Sequence, residues 1–379
     1  MILTQCAACA APLGFALGKK CSRCTTRYCG PACQVLHWKE GGHDQLCKEI
    51  KKGGGAERYH ADTRYKEAVT DAADACADDT KGQTCYICTE AVHWKTKEGL
   101  VRGCACRGTS GFAHVSCLTE QAKILFAEAE ENNLDSTVLD ERWVRWYSCS
   151  LCKQYYHGEV RCALGWACWK TYCGRPEADE IRGMAISQLG IGLALGGHHE
   201  DALSVKEAEL SLLLRLGASE DNILVTQSNL ASTYQNLGRT EAAMRIKKEV
   251  YAGRLKLSGK EHENTLISAN NYASSLRDLE RFEEAKALIR KTMPVARRIL
   301  GESNELTLRM KWNYAEALYM DDDTTLDGLR EAVTTLEEAE RIARRVFGGA
   351  NPLTTKVESD LLVSRAALRA REESPGGAA

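Results

Sequence analysis

The sequence predicts a multidomain protein in which two small zinc-stabilised domains precede an all-α repeat solenoid. All 18 cysteines of the 379-residue chain lie before residue 174, and eight of them form four C-x-x-C pairs interleaved with histidine, a spacing typical of metal sites. From about residue 181 onward the chain shows long helix-periodic segments that recur every 42 residues, which indicates stacked helical repeats. This length suits two or three globular units.

Charge and hydropathy narrow the class of protein. The net charge of -2 makes a nucleic-acid partner improbable, because general nucleic-acid binders are strongly basic. The most apolar stretch, Ile186–Leu195, is too short for a membrane span and contains Gly190 and Gly192. The first residues lack the basic and apolar regions of a secretory signal, so we expect reduced thiols and a cytoplasmic and/or nuclear protein.

The first half of the cysteine-rich region holds eight candidate metal ligands. They are Cys6, Cys9, Cys21, Cys24, Cys29, Cys33, His43 and Cys47. Zinc takes four such ligands in a tetrahedron, so eight ligands predict two ions. A segment of this length cannot bury a self-sufficient core, and structural zinc contributes roughly 10–16 kcal/mol in finger peptides.

This stretch resembles the MYND zinc finger in its two C-x-x-C pairs, the Tyr28-Cys29 and Cys33-Gln34 steps and Trp38. The resemblance implies interleaved pairs: Cys6, Cys9, Cys29 and Cys33 would hold one zinc, and Cys21, Cys24, His43 and Cys47 the other. It also implies a groove for short, often proline-containing peptides, with Gln34 and Trp38 at peptide-binding positions. The alternative is a purely structural knuckle in which both residues serve packing.

Two histidines are candidates for the single histidine ligand of this cluster. The spacing from Trp38 to His43 is two residues longer than is usual in the family, which makes His37 the alternative ligand. The H-x-x-x-C spacing from His43 to Cys47 places both side chains on one face of a helical turn and favours His43.

The second cluster again holds eight candidate ligands for two ions. They are Cys85, Cys88, Cys104, Cys106, His114, Cys117, Cys149 and Cys152. Their order, with the C-x-C pair and the seven-residue gap before His114, resembles the RING-CH (RING-variant) domain. The resemblance implies that Cys85, Cys88, His114 and Cys117 share one zinc, and that Cys104, Cys106, Cys149 and Cys152 share the other.

RING-CH domains generally belong to ubiquitin ligases, which recruit a ubiquitin-conjugating enzyme and orient its thioester. By resemblance, Ile87 would contact that enzyme and Lys153 would be the cationic group that clamps ubiquitin. The family also carries a Trp a few residues after H-x-x-C, and here that Trp is missing. Trp143 or Trp146 could supply the contact. Otherwise the domain is degenerate and serves binding alone.

The repeat half contains Asn229, Asn271 and Asn313 at 42-residue intervals. Helix-ending glycines recur at Gly217, Gly259, Gly301 and Gly348. The pattern resembles tetratricopeptide repeats of the kinesin light chain type, whose stacks present a concave peptide-binding surface. The three asparagines would line it, or they would form a ladder that bonds one repeat to the next.

These patterns predict the following organisation: 1–50 MYND-type zinc finger, 51–80 linker, 81–158 RING-CH-type zinc finger, 159–180 helical connector, 181–370 tetratricopeptide repeats and 371–379 disordered tail. In the connector, Cys162, Cys168 and Cys173 suit a helical core, and a fifth zinc that uses His157 is the alternative.

Two functions fit this organisation. The first is a soluble RING-CH ubiquitin-protein ligase whose MYND finger and repeats recruit peptide or protein partners. The second is a non-catalytic adaptor built from the same three modules. Both need four zinc ions and neither needs a membrane. The sequence offers no catalytic nucleophile, because the plausible thiols are metal ligands.

Overall fold

The computed structural model describes residues 4–15, 17–349 and 351–373. The chain divides into two compact units, with the boundary between Ser219 and Glu220. The first unit contains a two-stranded hairpin and eight α-helices within its described residues. In order these are β1 Lys19–Lys20, β2 Arg27–Tyr28, α1 Pro31–Lys39, α2 His43–Lys52, α3 Ala56–Ala75, α4 Val115–Glu131, α5 Ser136–Trp143, α6 Gly158–Tyr172, α7 Glu180–Leu195 and α8 His199–Arg215, with a short 3-10 helix at Val144–Trp146 after α5.

The start of the first unit has a very small apolar core. Strands β1 and β2 pair antiparallel, with Lys19 opposite Tyr28. The buried residues here are Cys6, Leu13, Cys21, Cys24, Tyr28, Cys47, Ile50 and Ala56. Half of that core consists of candidate metal ligands, so its stability depends on what those thiols bind.

Helix α6 is the centre of the first unit. It is buried along almost its whole length and packs against both α3 and α7. Gly165 and Gly192 lie where α6 crosses α7: a Cβ at Gly165 would stand 2.9 Å from the Gln188 carbonyl oxygen, and one at Gly192 2.8 Å from that of Arg161. Only glycine allows the two backbones to approach so closely.

This packing bears on the predicted segments. The stretch 51–80, predicted as a linker, contains α3, whose Tyr65 and Val69 are buried in the same core. The predicted connector 159–180 contains α6. Helices α7 and α8, assigned by sequence to the repeats, fall within the first compact unit.

The second unit is a succession of antiparallel helices. They are α9 Glu220–Asn236, α10 Thr240–Ser258, α11 Glu263–Asp278, α12 Phe282–Leu300, α13 Glu305–Tyr319, α14 Leu326–Phe347 and α15 Pro352–Glu373. Each helix packs on the next along the chain, and α13 also packs on α11 and α15. This is the helical solenoid that the 42-residue period predicts.

Helix ends in this unit follow the predicted signals. Asn304 caps α13, with its Oδ1 accepting from the Leu306 amide at 2.8 Å. Asn351 does the same for α15 through the Leu353 amide at 2.9 Å, and Pro352 begins that helix. Gly259 and Gly301 follow α10 and α12 with φ of 77° and 89°, the left-handed region that side chains disfavour.

A helix that crosses a bilayer needs about 20 consecutive, mostly apolar residues. Among the described residues, no helix is both long enough and apolar enough to span a membrane.

Candidate metal centres and interaction surfaces

Four C-x-x-C turns of the first unit share one backbone geometry. The residue after the second cysteine has positive φ in each case: Ala10, Thr25, Thr89 and Lys153. Its amide donates to the carbonyl of the first cysteine, at 2.9 Å from Thr25 to Cys21 and at 3.0 Å from Lys153 to Cys149. A non-glycine residue in this conformation is strained, so the surrounding structure dictates it. The turn points both thiols of a pair to one side.

The first cluster forms two groups of four ligands. Cys6, Cys9, Cys29 and Cys33 form one group, and Cys21, Cys24, His43 and Cys47 form the other; within each, all ligand atoms lie within 4.8 Å of one another. These are the interleaved sets that the MYND resemblance implies. The Cys9 and Cys29 sulfurs are 3.6 Å apart, close to the roughly 3.8 Å that two thiolates bound to one zinc would show.

His43, rather than His37, faces the thiols of the second group. Its Nε2 lies 3.4 Å from the Cys24 sulfur. The Nδ1 of His37 instead faces the Tyr28 hydroxyl at 3.0 Å. The two residues that lengthen the spacing become the turn Gly41-Gly42 between α1 and α2, where Gly42 has a φ of 71° and directly precedes His43.

The second cluster also forms two groups of four. They are Cys85, Cys88, His114 and Cys117, and Cys104, Cys106, Cys149 and Cys152. His114 immediately precedes α4 and Cys117 lies in its first turn, so the helix start fixes their spacing. The Nδ1 of His114 is 3.3 Å from the Cys88 sulfur and 3.7 Å from that of Cys117. The pairing is the cross-brace that the RING-CH resemblance implies.

The electrostatics of these groups suit a bound cation. Hydrogen bonding with the Cys104 side chain lowers the pKa of the Cys149 thiol to about 4, whereas the same contact and burial raise the pKa of Cys104. The thiolate of Cys149 is therefore stabilised by its neighbours, whereas ionisation of Cys104 as well requires a nearby positive charge. Burial lowers the pKa of His43 and of His114, which favours the neutral imidazole that binds metal.

The donor sets, all thiol or imidazole in groups of four, fit structural zinc. All 18 cysteines are free thiols in the structure. The ligand sets suggest zinc binding. A further group of three candidate ligands, Glu159, Cys162 and His198, lies outside the two predicted clusters.

The remaining connector cysteines and His157 take up different positions. Cys162, Cys168 and Cys173 are buried, as expected for a helical core. His157, named in the alternative of a fifth zinc, is exposed and does not belong to the three-ligand group.

The predicted peptide-binding residues of the first cluster lie on α1. Trp38 is 40% exposed, and Gln34, one turn before it, is half-buried. Val35 and Leu36 are also exposed, which makes α1 an apolar surface helix. Trp38 additionally contacts the His43 ring edge-on, at 5.7 Å between centroids, so it has a packing role as well.

The predicted conjugating-enzyme contacts are accessible. Ile87 is 38% exposed at the tip of the Cys85–Cys88 turn, and Lys153 is exposed after Cys152. The Lys153 ammonium donates to the Ser150 carbonyl at 2.7 Å. Trp143 and Trp146, at 3% and 0% exposed, lie in the core of the first unit and offer no surface contact.

Sequence reasoning missed Trp94, which is 68% exposed. Trp94 and Ile87 line the same surface depression, of about 800 Å³. The turn that carries Trp94 repeats the C-x-x-C geometry without cysteines: Lys97 has positive φ and donates to the His93 carbonyl at 2.9 Å. The His93 ring also packs on the metal-ligand candidate His114, at 5.2 Å between centroids. A Trp six residues after the second cysteine of a C-x-x-C pair was the available signal.

The three repeat asparagines differ in their surroundings. Asn229 and Asn271 are half-buried, whereas Asn313 is buried. The amide of Asn313 donates to Asn270 and its carbonyl oxygen accepts from Arg277. Asn313 is therefore bonded to the preceding repeat, through Asn270 rather than Asn271.

Known protein families match three parts of the chain. Three family descriptions match: "MYND finger" over residues 6–47, "RING-variant domain" over 85–134, and "Tetratricopeptide repeat" over 223–264 and 265–304. No curated protein matches the chain.

Two solved structures show limited similarity to the chain. A crystal structure of BtubC (BKLC) from P. vanneervenii is 19% identical, with a TM-score of 0.43, over 58% of this chain and 96% of that one. A Podosopora anserina kinesin light chain with nearly identical TPR-like repeats is 19% identical, with a TM-score of 0.38, over 61% of this chain and 97% of that one.

The chain thus carries a MYND-finger-like segment, a RING-variant-like segment and tetratricopeptide-like repeats. These modules support a role in protein–protein interaction.

Proposed function

We propose that this protein is a ubiquitin-protein ligase of the cytoplasm or nucleus that holds four zinc ions in its two zinc-finger regions. In this proposal, residues 85–153 recruit a ubiquitin-conjugating enzyme. The MYND-like segment and the repeats bind the protein that is to be modified.

The observation that carries the proposal is the shared depression lined by Ile87 and Trp94. Both side chains are exposed on strained, hydrogen-bonded turns beside the group that contains His114. Large apolar groups held rigidly at a surface mark protein-binding sites, and Trp is over-represented among residues that dominate binding energy. In this proposal, Trp94 takes the role of the Trp that the RING-CH pattern carries after Cys117, and residues that follow Cys117 line the same depression.

A second apolar group lies on the neighbouring metal turn. Leu151 is 50% exposed between Cys149 and Cys152. The Tyr86 hydroxyl and the Ser150 hydroxyl, 3.0 Å apart, join the two turns that carry Ile87 and Leu151. A conjugating enzyme seated on the depression would therefore meet two turns whose separation is fixed by a hydrogen bond.

The chemistry needs no nucleophile from this chain. The amine of a substrate lysine attacks the thioester carbonyl carbon of the charged conjugating enzyme, an amide bond forms, and the enzyme's cysteine leaves as a thiolate. This chain contributes orientation, which raises the effective concentration of the reacting groups. Zinc, when bound, would hold the thiol and imidazole ligands in fixed positions. Lys153 would donate to ubiquitin after release from the Ser150 carbonyl.

The alternative is a non-catalytic adaptor. It is favoured by the position after Cys117, where the family's Trp is replaced by residues of α4, of which Leu118 and Ala122 are buried. In an adaptor, the depression at Trp94 would bind a partner other than a charged conjugating enzyme.

The test measures discharge of ubiquitin from a panel of charged conjugating enzymes to free lysine. We expect the wild type to accelerate discharge with at least one enzyme. Ile87→Ala and Trp94→Ala should each lose about tenfold or more, as expected for central interface residues. Val92→Ala is the matched control, because Val92 is exposed in the same loop but does not line the depression.

Metal content separates the two functions. Wild type with a full zinc complement and no acceleration from any enzyme of the panel would establish the adaptor. Equal rates for wild type and Trp94→Ala would refute the role of the depression.

A further inference from the structure

The first unit contains a cluster of metal-ligand side chains outside both zinc-finger regions. Glu159 and Cys162 lie in the first turns of α6, and His198 lies in the turn between α7 and α8. One carboxylate oxygen, the thiol sulfur and one imidazole nitrogen lie within 4.8 Å of one another. His198 Nε2 is 3.4 Å from the Glu159 carboxylate.

Two glycines in the turn between α7 and α8 allow His198 to approach Cys162. A Cβ at Gly196 would stand 2.8 Å from the Cβ of Cys162 and 3.2 Å from the His198 ring, so glycine is needed where the turn crosses α6. Gly197 follows with a φ of 83°, and the His198 amide donates to the Leu193 carbonyl at 2.9 Å. The turn is therefore fixed by close contact and hydrogen bonding rather than free in solvent.

The scaffold behind the three ligands is rigid. Glycine-mediated packing of α6 on α7 sets the distance between Cys162 and the turn. Sites built on packed helices keep their geometry better than sites on loops.

We propose that Glu159, Cys162 and His198 form a fifth zinc site, with three protein ligands and a fourth position open to water. A thiol, an imidazole and a carboxylate are all zinc ligands, and three protein ligands with an open position distinguish exchangeable or reactive zinc from closed structural sites. The thiol disfavours magnesium and calcium, which prefer oxygen ligands.

The three ligands lie at the edge of the packed helices. Cys162 is 1% exposed, whereas the side chains of His198 and Glu159 are 44% and 29% exposed. The ion would link the start of α6 to the start of α8, two segments that are distant in sequence.

The test counts metal in the full-length protein. Total zinc is the sum of the metal present on purification and the metal taken up in titration. It should be one equivalent lower in His198→Gln and in Cys162→Ser than in wild type. His157→Gln and Cys168→Ser are matched controls: His157 is exposed just before α6, and Cys168 is a buried thiol of the same helix outside the group. Both should keep the wild-type total.

His198 is largely exposed, so His198→Gln remains informative if Cys162→Ser misfolds. Cobalt added in place of the extra zinc should give a thiolate-to-metal charge-transfer band that Cys162→Ser lacks and His157→Gln keeps. Equal totals in wild type and both ligand variants would overturn the proposal, and so would a cobalt band that survives Cys162→Ser. Ubiquitin discharge does not depend on this ion, so its failure would leave this result unaffected.

Discussion

The side-chain amide of Asn313 donates a hydrogen bond to Oδ1 of Asn270 at 2.8 Å, which joins α13 to the corresponding helix of the preceding repeat, α11. A guanidinium nitrogen of Arg277 donates to Oδ1 of Asn313 at 2.7 Å and also to the Glu316 carboxylate. Both the NH2 group and the carbonyl oxygen of the Asn313 side chain therefore make hydrogen bonds within the repeat stack. A peptide ligand would have to break these bonds to reach it.

Asn313→Ala should destabilise the repeats by about 1–3 kcal/mol, because the buried Oδ1 of Asn270 would lose this donor. Hydrogen exchange of α11 and α13 amides, read by mass spectrometry, measures the effect locally. The matched control is Asn271→Ala, at a half-buried position, where we expect a smaller change. Equal protection in wild type and Asn313→Ala would show that the ladder adds nothing to stability.

The metal-ligand groups could be predicted from sequence because zinc restricts both ligand type and ligand number. The two thiols of a C-x-x-C pair come from one short turn, so local spacing already brings half of each group together. Which pairs combine is a long-range property. It followed from family resemblance, and the structure assembles those same sets, for example Cys21 with Cys47 at 3.9 Å between sulfurs.

The features that the sequence did not predict depend on tertiary packing. Trp143 and Trp146 look like any other aromatic residues in the sequence, and only the fold shows that they are buried against Phe126 and Tyr172. Trp94, in contrast, is exposed. The ring of His93 packs on His114 and holds the turn, and the indole of Trp94 has no core beside it. Helical periodicity identified α6 as a helix but could not show that it packs on α3 and α7.

Gly165→Ala should destabilise the first unit by about 1–3 kcal/mol, since the added methyl group would press on the Gln188 carbonyl across the α6–α7 contact. Gly183→Ala is the matched control: Gly183 lies within α7 with no atom within 4 Å of an added Cβ. That change should stabilise the helix by up to about 1 kcal/mol, because alanine is the better helix former. Hydrogen exchange of α6 and α7 amides distinguishes the two results. A similar effect of both substitutions would refute the close-packing argument.

The repeat unit should become more stable as the pH rises through the range in which Lys247 loses its proton. Burial lowers the pKa of Lys247 to about 8 from an ordinary value of 10.5, with nearby Asp278 opposing the effect. Between these two values the unfolded chain binds more protons than the folded one, so the free energy of unfolding rises with pH. It falls again as the pH drops back towards 8. The full effect is up to about 3 kcal/mol, since one unit of pKa corresponds to about 1.4 kcal/mol.

Urea unfolding followed by helical circular dichroism measures this effect as the difference between wild type and Lys247→Met from pH 7.5 to 10. The wild type should gain stability relative to the variant across that range. Lys248→Met is the control, because Lys248 is the exposed neighbour on the same helix and its removal should leave the pH dependence unchanged. A constant difference between wild type and Lys247→Met would show that burial does not shift this amine.

The choice between His43 and His37 predicts different metal content for two otherwise similar substitutions. His43→Gln removes the nitrogen that lies 3.4 Å from the Cys24 sulfur, so the protein should lose one equivalent of zinc and the protection of residues 19–52 in hydrogen exchange. His37→Gln removes the contact with the Tyr28 hydroxyl and the stacking on the His43 ring, and it should retain that zinc at a cost of about 1 kcal/mol. The helices α9–α15 belong to the second compact unit and should keep their protection in both variants. Loss of zinc from His37→Gln but not from His43→Gln would reverse the assignment. It would also mean that α1, which carries His37, and not the start of α2, positions the histidine ligand of the group.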